Sequence, residues 1–281
     1  MTPDGLCTPA LERARAEGRA AFIGYLPVGY PNLPHSLEAM RALVDPGDGP
    51  GADLVESGIP YSDPRLDGPV SQAAATRALE RGVRVRDVLA ATEAVARAGA
   101  TACVMTYWNL VEQYGPEAFA RDFAAAGGAG VITPDLTPDE SEDWIPATDA
   151  HGIDRIYLVA PSSTDDRIIS TADAARGWLY ATAVMGVTGA RATTSAAGRR
   201  LVERIRRLSP GTRIGIGLGV SNGDQAAELA GYADAVIVGS ALVRTLLTAE
   251  ADGRPGDTTR LRALTVDLAR GVRAGTSGAA A

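Results

Sequence analysis

Short apolar, β-branched runs alternate along the chain with stretches whose apolar positions recur at helical spacing. Eight runs predict strands: Ala20–Leu26, Asp53–Glu56, Ala102–Tyr107, Gly130–Thr133, Arg155–Ala160, Leu179–Ala183, Arg213–Gly217 and Ala235–Val238. They are short and mostly apolar, as parallel strands covered on both faces must be. Between them the spacing predicts helices over Pro69–Arg81, Val85–Ala98, Pro116–Ala126, Pro138–Ala150, Asp165–Ala175, Ala192–Arg207 and Ser221–Ala230. Start signals support two of these: Ser221 and Asn222 stand before Gln225, and Thr137-Pro138-Asp139-Glu140 reads as a capping box with proline in the first turn. Eight strands each followed by helix imply an α/β fold, a (β/α)8 TIM barrel in one domain, which takes ~250 residues. A doubly wound open sheet is the competing arrangement, but no G-x-G-x-x-G follows the first strand. The barrel is expected over residues 9–273, with flexible ends at 1–8 and 274–281, and the Asp45–Gly51 loop on its N-terminal face.

Composition narrows the chemistry. The chain has 281 residues, 46% of them hydrophobic, enough for a large core. All 27 basic residues are arginine; there is no lysine, and only two histidines (His35, His151) and two cysteines (Cys7, Cys103). This removes Schiff-base lysine catalysis, lysine-based phosphate loops and a multi-histidine zinc site, so no metal is expected. Two distant cysteines make no disulfide framework, although a pair stays open. The net charge of −7 and the lack of long basic runs argue against nucleic acid or an anionic membrane as partner. With no signal-peptide pattern and no apolar stretch of ~18 residues, a cytoplasmic protein is expected.

Barrel chemistry sits at the C-terminal ends of strands. Glu56 closes the apolar run Asp53-Leu54-Val55-Glu56, where desolvation would raise its pKa toward that of a proton-transfer group. A salt-bridged or hydrogen-bonded barrel glutamate is the competing reading. The long loop 57–69 that follows, with three prolines, carries Asp67, eleven residues on, which could face the same substrate from another side; Asp-Gly is also ordinary turn chemistry. Three glycine turns follow the last three strands: Gly186-Val187-Thr188-Gly189, Gly217-Leu218-Gly219 and Gly239-Ser240. Together they suit a phosphate held by neutral backbone amides and helix N-termini, without lysine.

Leu54 through Pro64, with Asp67-Gly68-Pro69 and Gln72, resembles the signature of the tryptophan synthase α chain family. Gly24–Pro31, Gly186–Arg191 and the last two glycine turns agree in order, and Met105–Asn109 and Val131–Leu136 more weakly. The resemblance spans roughly residues 10–270 and implies a lyase that splits indole-3-glycerol phosphate into indole and glyceraldehyde 3-phosphate. By the same resemblance, Glu56 matches the acid/base glutamate and Asp67 the aspartate that binds the indole N–H. Tyr180 matches a positioning tyrosine, and Thr188 a loop residue that contacts Asp67. Phe22 matches an aromatic packed on indole, with an ordinary core phenylalanine as competitor, and Gly189, Gly219, Gly239 and Ser240 match the phosphate cradle. The resemblance further implies a tryptophan synthase β chain as partner in an α2β2 heterotetramer, with no cofactor in this chain and pyridoxal phosphate (PLP) in the β chain. Leu110 replaces the family's usual proline after Asn109 and would loosen the third βα loop, while Arg65 would alter the docking surface. A free-standing lyase, a different phosphosugar barrel and a non-catalytic activating paralogue are the alternatives.

Overall fold

The structure, a computed structural model, describes residues 5–64, 66–182, 191–217 and 219–275. Nine strands occupy Ala21–Pro27 (β1), Leu54–Gly58 (β2), Thr101–Met105 (β3), Gly128–Ile132 (β4), Asp154–Ile156 (β5), Leu158–Val159 (β6), Leu179–Thr182 (β7), Ile214–Gly217 (β8) and Ala235–Val238 (β9). All pairings are parallel, in the order β5-β4-β3-β2-β1-β9-β8-β7-β6. The two ends of that order, β5 and β6, are halves of the one run expected at Arg155–Ala160, separated by Tyr157. The covalent chain therefore closes the sheet, and the eight-position barrel replaces the open-sheet alternative. The break has a local cause: Tyr157 is fully buried, and its hydroxyl donates to Ser141 Oγ at 2.8 Å in the outer layer.

Twelve helices surround the strands: Thr8–Ala16 (α1), Leu33–Val44 (α2), Pro69–Glu80 (α3), Asp87–Arg97 (α4), Trp108–Tyr114 (α5), Pro116–Ala125 (α6), Trp144–His151 (α7), Asp165–Ala174 (α8), Arg191–Leu208 (α9), Gly223–Ala230 (α10), Ser240–Ala251 (α11) and Thr259–Ala274 (α12). Five of them (α1, α2, α5, α11, α12) lie in segments the pattern left unassigned. The helix expected over 138–150 begins as a single 3-10 turn, Pro138–Glu140, and resumes only at Trp144. Thr137 Oγ1 bonds the Glu140 carboxylate at 2.8 Å rather than a backbone N–H, so that first turn closes on itself.

Strand alternation divides the core in two. Inward residues such as Ile23, Leu54, Cys103, Ile156, Trp178 and Ile237 fill the barrel's floor, and outward ones such as Phe22, Val55, Val104, Leu179 and Val236 pack under the helices. The expectation that residues 1–8 are flexible is corrected for those described. Cys7 is fully buried, its N–H donates to Asp154 Oδ2 at 2.8 Å, and α1 plugs the floor with Cys7, Ala10, Leu11 and Ala14. An apolar barrel floor needs such a cover, and the spacing of those four residues is helical. At the other end Ala274 closes α12 and Gly275 is buried.

Helices α10 and α12 cross without side chains between them. A Cβ on Gly271 would collide with the Gly223 carbonyl, and Asp267 on α12 accepts the Gly223 N–H at 2.7 Å. This contact fixes where α10 starts, just after β8. Gly271→Ala is expected to cost about 3 kcal/mol in urea unfolding at an unchanged slope, because backbone rather than a flexible side chain must move.

Candidate active site

Glu56 points into the barrel from β2, between its ladder neighbours Tyr25 and Cys103. The side chain is 1% exposed, and its Oε2 has no hydrogen-bond partner among the described residues. Burial, reinforced by the nearby Asp67 carboxylate, raises its pKa to about 8. At neutral pH it holds its proton, the state a general acid needs. The salt-bridged reading of Glu56 fails, since no cation pairs with it among the described residues.

Asp67 is half-buried at the end of the loop after β2. The loop is gripped from two sides. Gln72, in the first turn of α3, donates its side-chain amide to the carbonyls of Pro64 (3.1 Å) and Asp67 (2.7 Å). Tyr107, just beyond β3, accepts the Leu66 N–H at 2.9 Å, donates to Asp67 Oδ2 at 3.3 Å and stacks on Tyr61 with ring centroids 4.9 Å apart. Burial pushes the Asp67 carboxyl up and the Tyr107 hydrogen bond pulls it back down. The third loop is not loosened by Leu110: α5 starts in it, and the Leu110 N–H donates to the Tyr107 carbonyl at 3.1 Å, a bond proline cannot make. Asp135 accepts the Trp108 N–H at the same helix start. Arg65 lies outside the described residues.

Tyr180 stands at the barrel mouth near both carboxylates: its hydroxyl lies 2.8 Å from where a Cβ on Gly217 would stand, and burial near Glu56 and Asp67 raises its pKa well above the usual phenol value. Phe22 does not line it. It is fully buried in the outer layer, one residue out of phase with Ile23, so the competing reading as a core phenylalanine holds. The inward aromatic of β1 is Tyr25, the ladder partner of Glu56, whose ring packs against Gly58 and Gly239. Burial and the two carboxylates hold its hydroxyl protonated. The pattern points to neither Tyr25 nor Tyr107; it is the pairing of β1 with β2 that turns Tyr25 inward.

The glycine turns differ in what they can still donate. At α10, Asn222 caps the Gln225 N–H, Gln225 Oε1 takes the Ser221 N–H, and Asp267 takes that of Gly223. That helix start is largely satisfied and carries a carboxylate. By contrast α11 begins at Gly239 and Ser240 with no side-chain cap. Gly219, at φ 66°, is exposed with open space beside its Cα, and a Cβ on Gly68 would stand 3.8 Å from Ser240 Oγ. The free donors of α11 therefore adjoin the loop carrying Asp67, in the manner of a helix-terminus anion site. Thr188 and Gly189 lie outside the described residues. Among those described, no group of metal-ligating side chains gathers, and no helix is long and apolar enough to cross a membrane.

A family model described as tryptophan synthase alpha chain matches residues 11–273. The chain belongs to that family. The tryptophan synthase alpha chain of Mycobacterium avium (strain 104) is 56% identical over 265 residues, 94% of this chain and 93% of the relative. That of Mycobacterium tuberculosis (strain ATCC 25618 / H37Rv) is 55% identical over 269 residues, 96% of this chain and 95% of its own length. A structure of Mycobacterium tuberculosis tryptophan synthase superposes with a TM-score of 0.87 at 53% identity, covering 96% of this chain and 99% of the other. The alpha subunit from Legionella pneumophila str. Paris keeps a TM-score of 0.84 at only 28% identity, covering 96% of this chain and 99% of the other. A tryptophan synthase alpha chain is a lyase that cleaves indole-3-glycerol phosphate and works with a β chain, and as a member of the family this chain is an enzyme of that kind.

The raised pKa of Glu56 makes its ionisation costly in stability. The folded protein holds this proton more tightly than the unfolded chain, so the stability it carries is complete below pH ~4.5 and is lost as pH rises through about 8. The loss is on the order of 4 kcal/mol. Glu56→Gln cannot ionise and is expected to melt several degrees above wild type at pH 9, the gap narrowing as pH falls below about 8 and closing only below pH ~4.5. Tyr107→Phe removes the donor that lowers Asp67, so the acidic limb of the pH–rate profile for this alpha chain reaction is expected to move to higher pH.

Proposed function

We propose that the chain is the α subunit of a cytoplasmic α2β2 tryptophan synthase and that Glu56 and Asp67 carry its chemistry. The observation that carries this reading is a buried carboxyl, protonated at neutral pH, whose Oε2 has no hydrogen-bond partner among the described residues and which lies near a second carboxyl at the barrel mouth. Glu56 gives its proton to C3 of the indole ring, and Asp67 accepts the indole N–H and stabilises the positive charge that develops on the ring. The Glu56 carboxylate, now in a desolvated site, takes the proton of the glycerol hydroxyl next to the ring. The carbon–carbon bond breaks, its electrons return to the ring, and indole and glyceraldehyde 3-phosphate separate. The protonated ring is the electron sink, which suits a chain with no lysine to form an iminium.

Tyr25 and Tyr180 hold the ring from β1 and β7. The phosphate lies at the start of α11, on the amides after Gly239 and the Ser240 hydroxyl, with Gly219 opposite. Thr188 and Gly189 keep the roles the family resemblance gives them, contact with Asp67 and with phosphate. Indole passes to the β chain for joining with serine. PLP belongs to that partner, because this chain offers no lysine to tether it.

Indole release from indole-3-glycerol phosphate, measured with and without a β chain, tests the reading. Slow turnover alone, rising at least tenfold with the β chain in a complex of α2β2 mass, is expected. Rapid turnover indifferent to the β chain would mean a free-standing lyase. Glu56→Gln is expected to lower cleavage by roughly 10³-fold or more while leaving complex formation intact; unchanged cleavage would overturn its role.

A further inference from the structure

Below the barrel mouth, at its floor, two thiols meet. Cys7, the residue that opens α1, and Cys103 on β3 are both fully buried and unbridged, with Sγ atoms 3.6 Å apart although 96 positions separate them. Asp154, at the start of β5, completes the cluster. Its Oδ2 accepts the Cys7 N–H at 2.8 Å, and Oδ1 is buried without a hydrogen-bond partner among the described residues. The space is tight: a Cβ on Gly130 would stand 2.9 Å from Cys7 Sγ. Burial pushes the Cys7 thiol up, so it rests protonated. None of these three side chains takes part in the chemistry at the mouth.

We propose that Cys7 and Cys103 form a disulfide on reaction with a hydroperoxide, stapling α1 to β3 across the barrel floor. Asp154 takes the Cys7 proton, and the thiolate attacks one peroxide oxygen, breaking the O–O bond and releasing an alcohol or water. The Cys103 thiol then attacks the resulting sulfenic sulfur, forming S–S, breaking S–O and releasing water. In sum, two thiols and one hydroperoxide give one disulfide, one alcohol (or water) and one water, the two electrons passing from sulfur to the peroxide oxygens. The sulfurs must close to ~2.05 Å, a shift of roughly 1.5 Å. Access follows from topology: α1 precedes the first strand and can lift from the floor while the strand ladder stays intact, exposing both thiols. Oxidation is therefore slow at rest and quickened by whatever loosens α1. Because Cys103 is the ladder partner of Glu56, the staple also braces the strand beside the acid.

The test treats the full chain with hydrogen peroxide in low urea and compares it with the same sample after dithiothreitol. The expected product has no titratable thiol, yields one cross-linked peptide containing positions 7 and 103, and melts about 5–10 °C higher, reversibly on reduction. Oxidation is expected to accelerate as urea rises within the folded range. Two thiols still titratable in denaturant, sulfinic acid on a single cysteine, or disulfide-linked dimers in place of the internal bridge would each overturn the proposal. Cys7→Ser and Cys103→Ser should each abolish the shift, and the oxidised–reduced comparison of the unmodified sequence carries the test if either variant fails to fold.

Discussion

In a closed parallel barrel every strand has one face for the helices and one for the interior, and the ladder ties the choice on one strand to that on its neighbours. That constraint decides what each residue here can do. Once Glu56 faces inward on β2, its partners Tyr25 and Cys103 must face inward too. Phe22, an odd number of residues from Tyr25, must face out. The interior is then shared between two ends: polar groups collect at the mouth, while Ile23, Leu54, Ile156 and Trp178 fill the floor under α1.

The same arrangement creates a tension around Glu56. A carboxyl without a partner in a dry interior is destabilising once ionised, and the molecule holds it there nonetheless. The loop carrying Asp67 is a second place where structure is bent to the site. Gln72 and Tyr107 supply the bonds that a loop of prolines and glycines cannot make for itself. The two helix starts beyond β8 and β9 use their donors differently. α10 spends its first amides on Asn222 and Asp267, and α11 has no side-chain cap among the described residues.

The strands were legible because fully buried parallel strands are apolar runs; the reading of Ala235–Val238 agrees with β9 end to end. The Asn222 cap was equally plain, being chemistry confined to four residues. Helix α1 was written in the spacing of Cys7, Ala10, Leu11 and Ala14 but masked by its place at a chain end. Phe22 and Tyr25 could not be told apart from β1 alone, because every residue of that strand is buried and only pairing with β2 sets the phase. The Asp267 bond to Gly223 spans 44 positions, and no local pattern announces it. The interruption at Tyr157 was also hidden, since a tyrosine suits an unbroken strand as well as a broken one.

That interruption gives the barrel a seam. Elsewhere neighbouring strands are laced by a ladder, but between β5 and β6 the wall is the polypeptide itself. In the circular order the seam lies across from β1, whose neighbours β2 and β9 carry Glu56 and lead to Gly239. Even there the wall is tied to the next segment, by the Arg176 N–H on the Arg155 carbonyl and the Tyr180 N–H on the Tyr157 carbonyl, each at 3.0 Å. The break at Tyr157 thus falls on the side remote from Glu56 and the start of α11, while β2 and β9, which lead to those two, are both laced directly to β1.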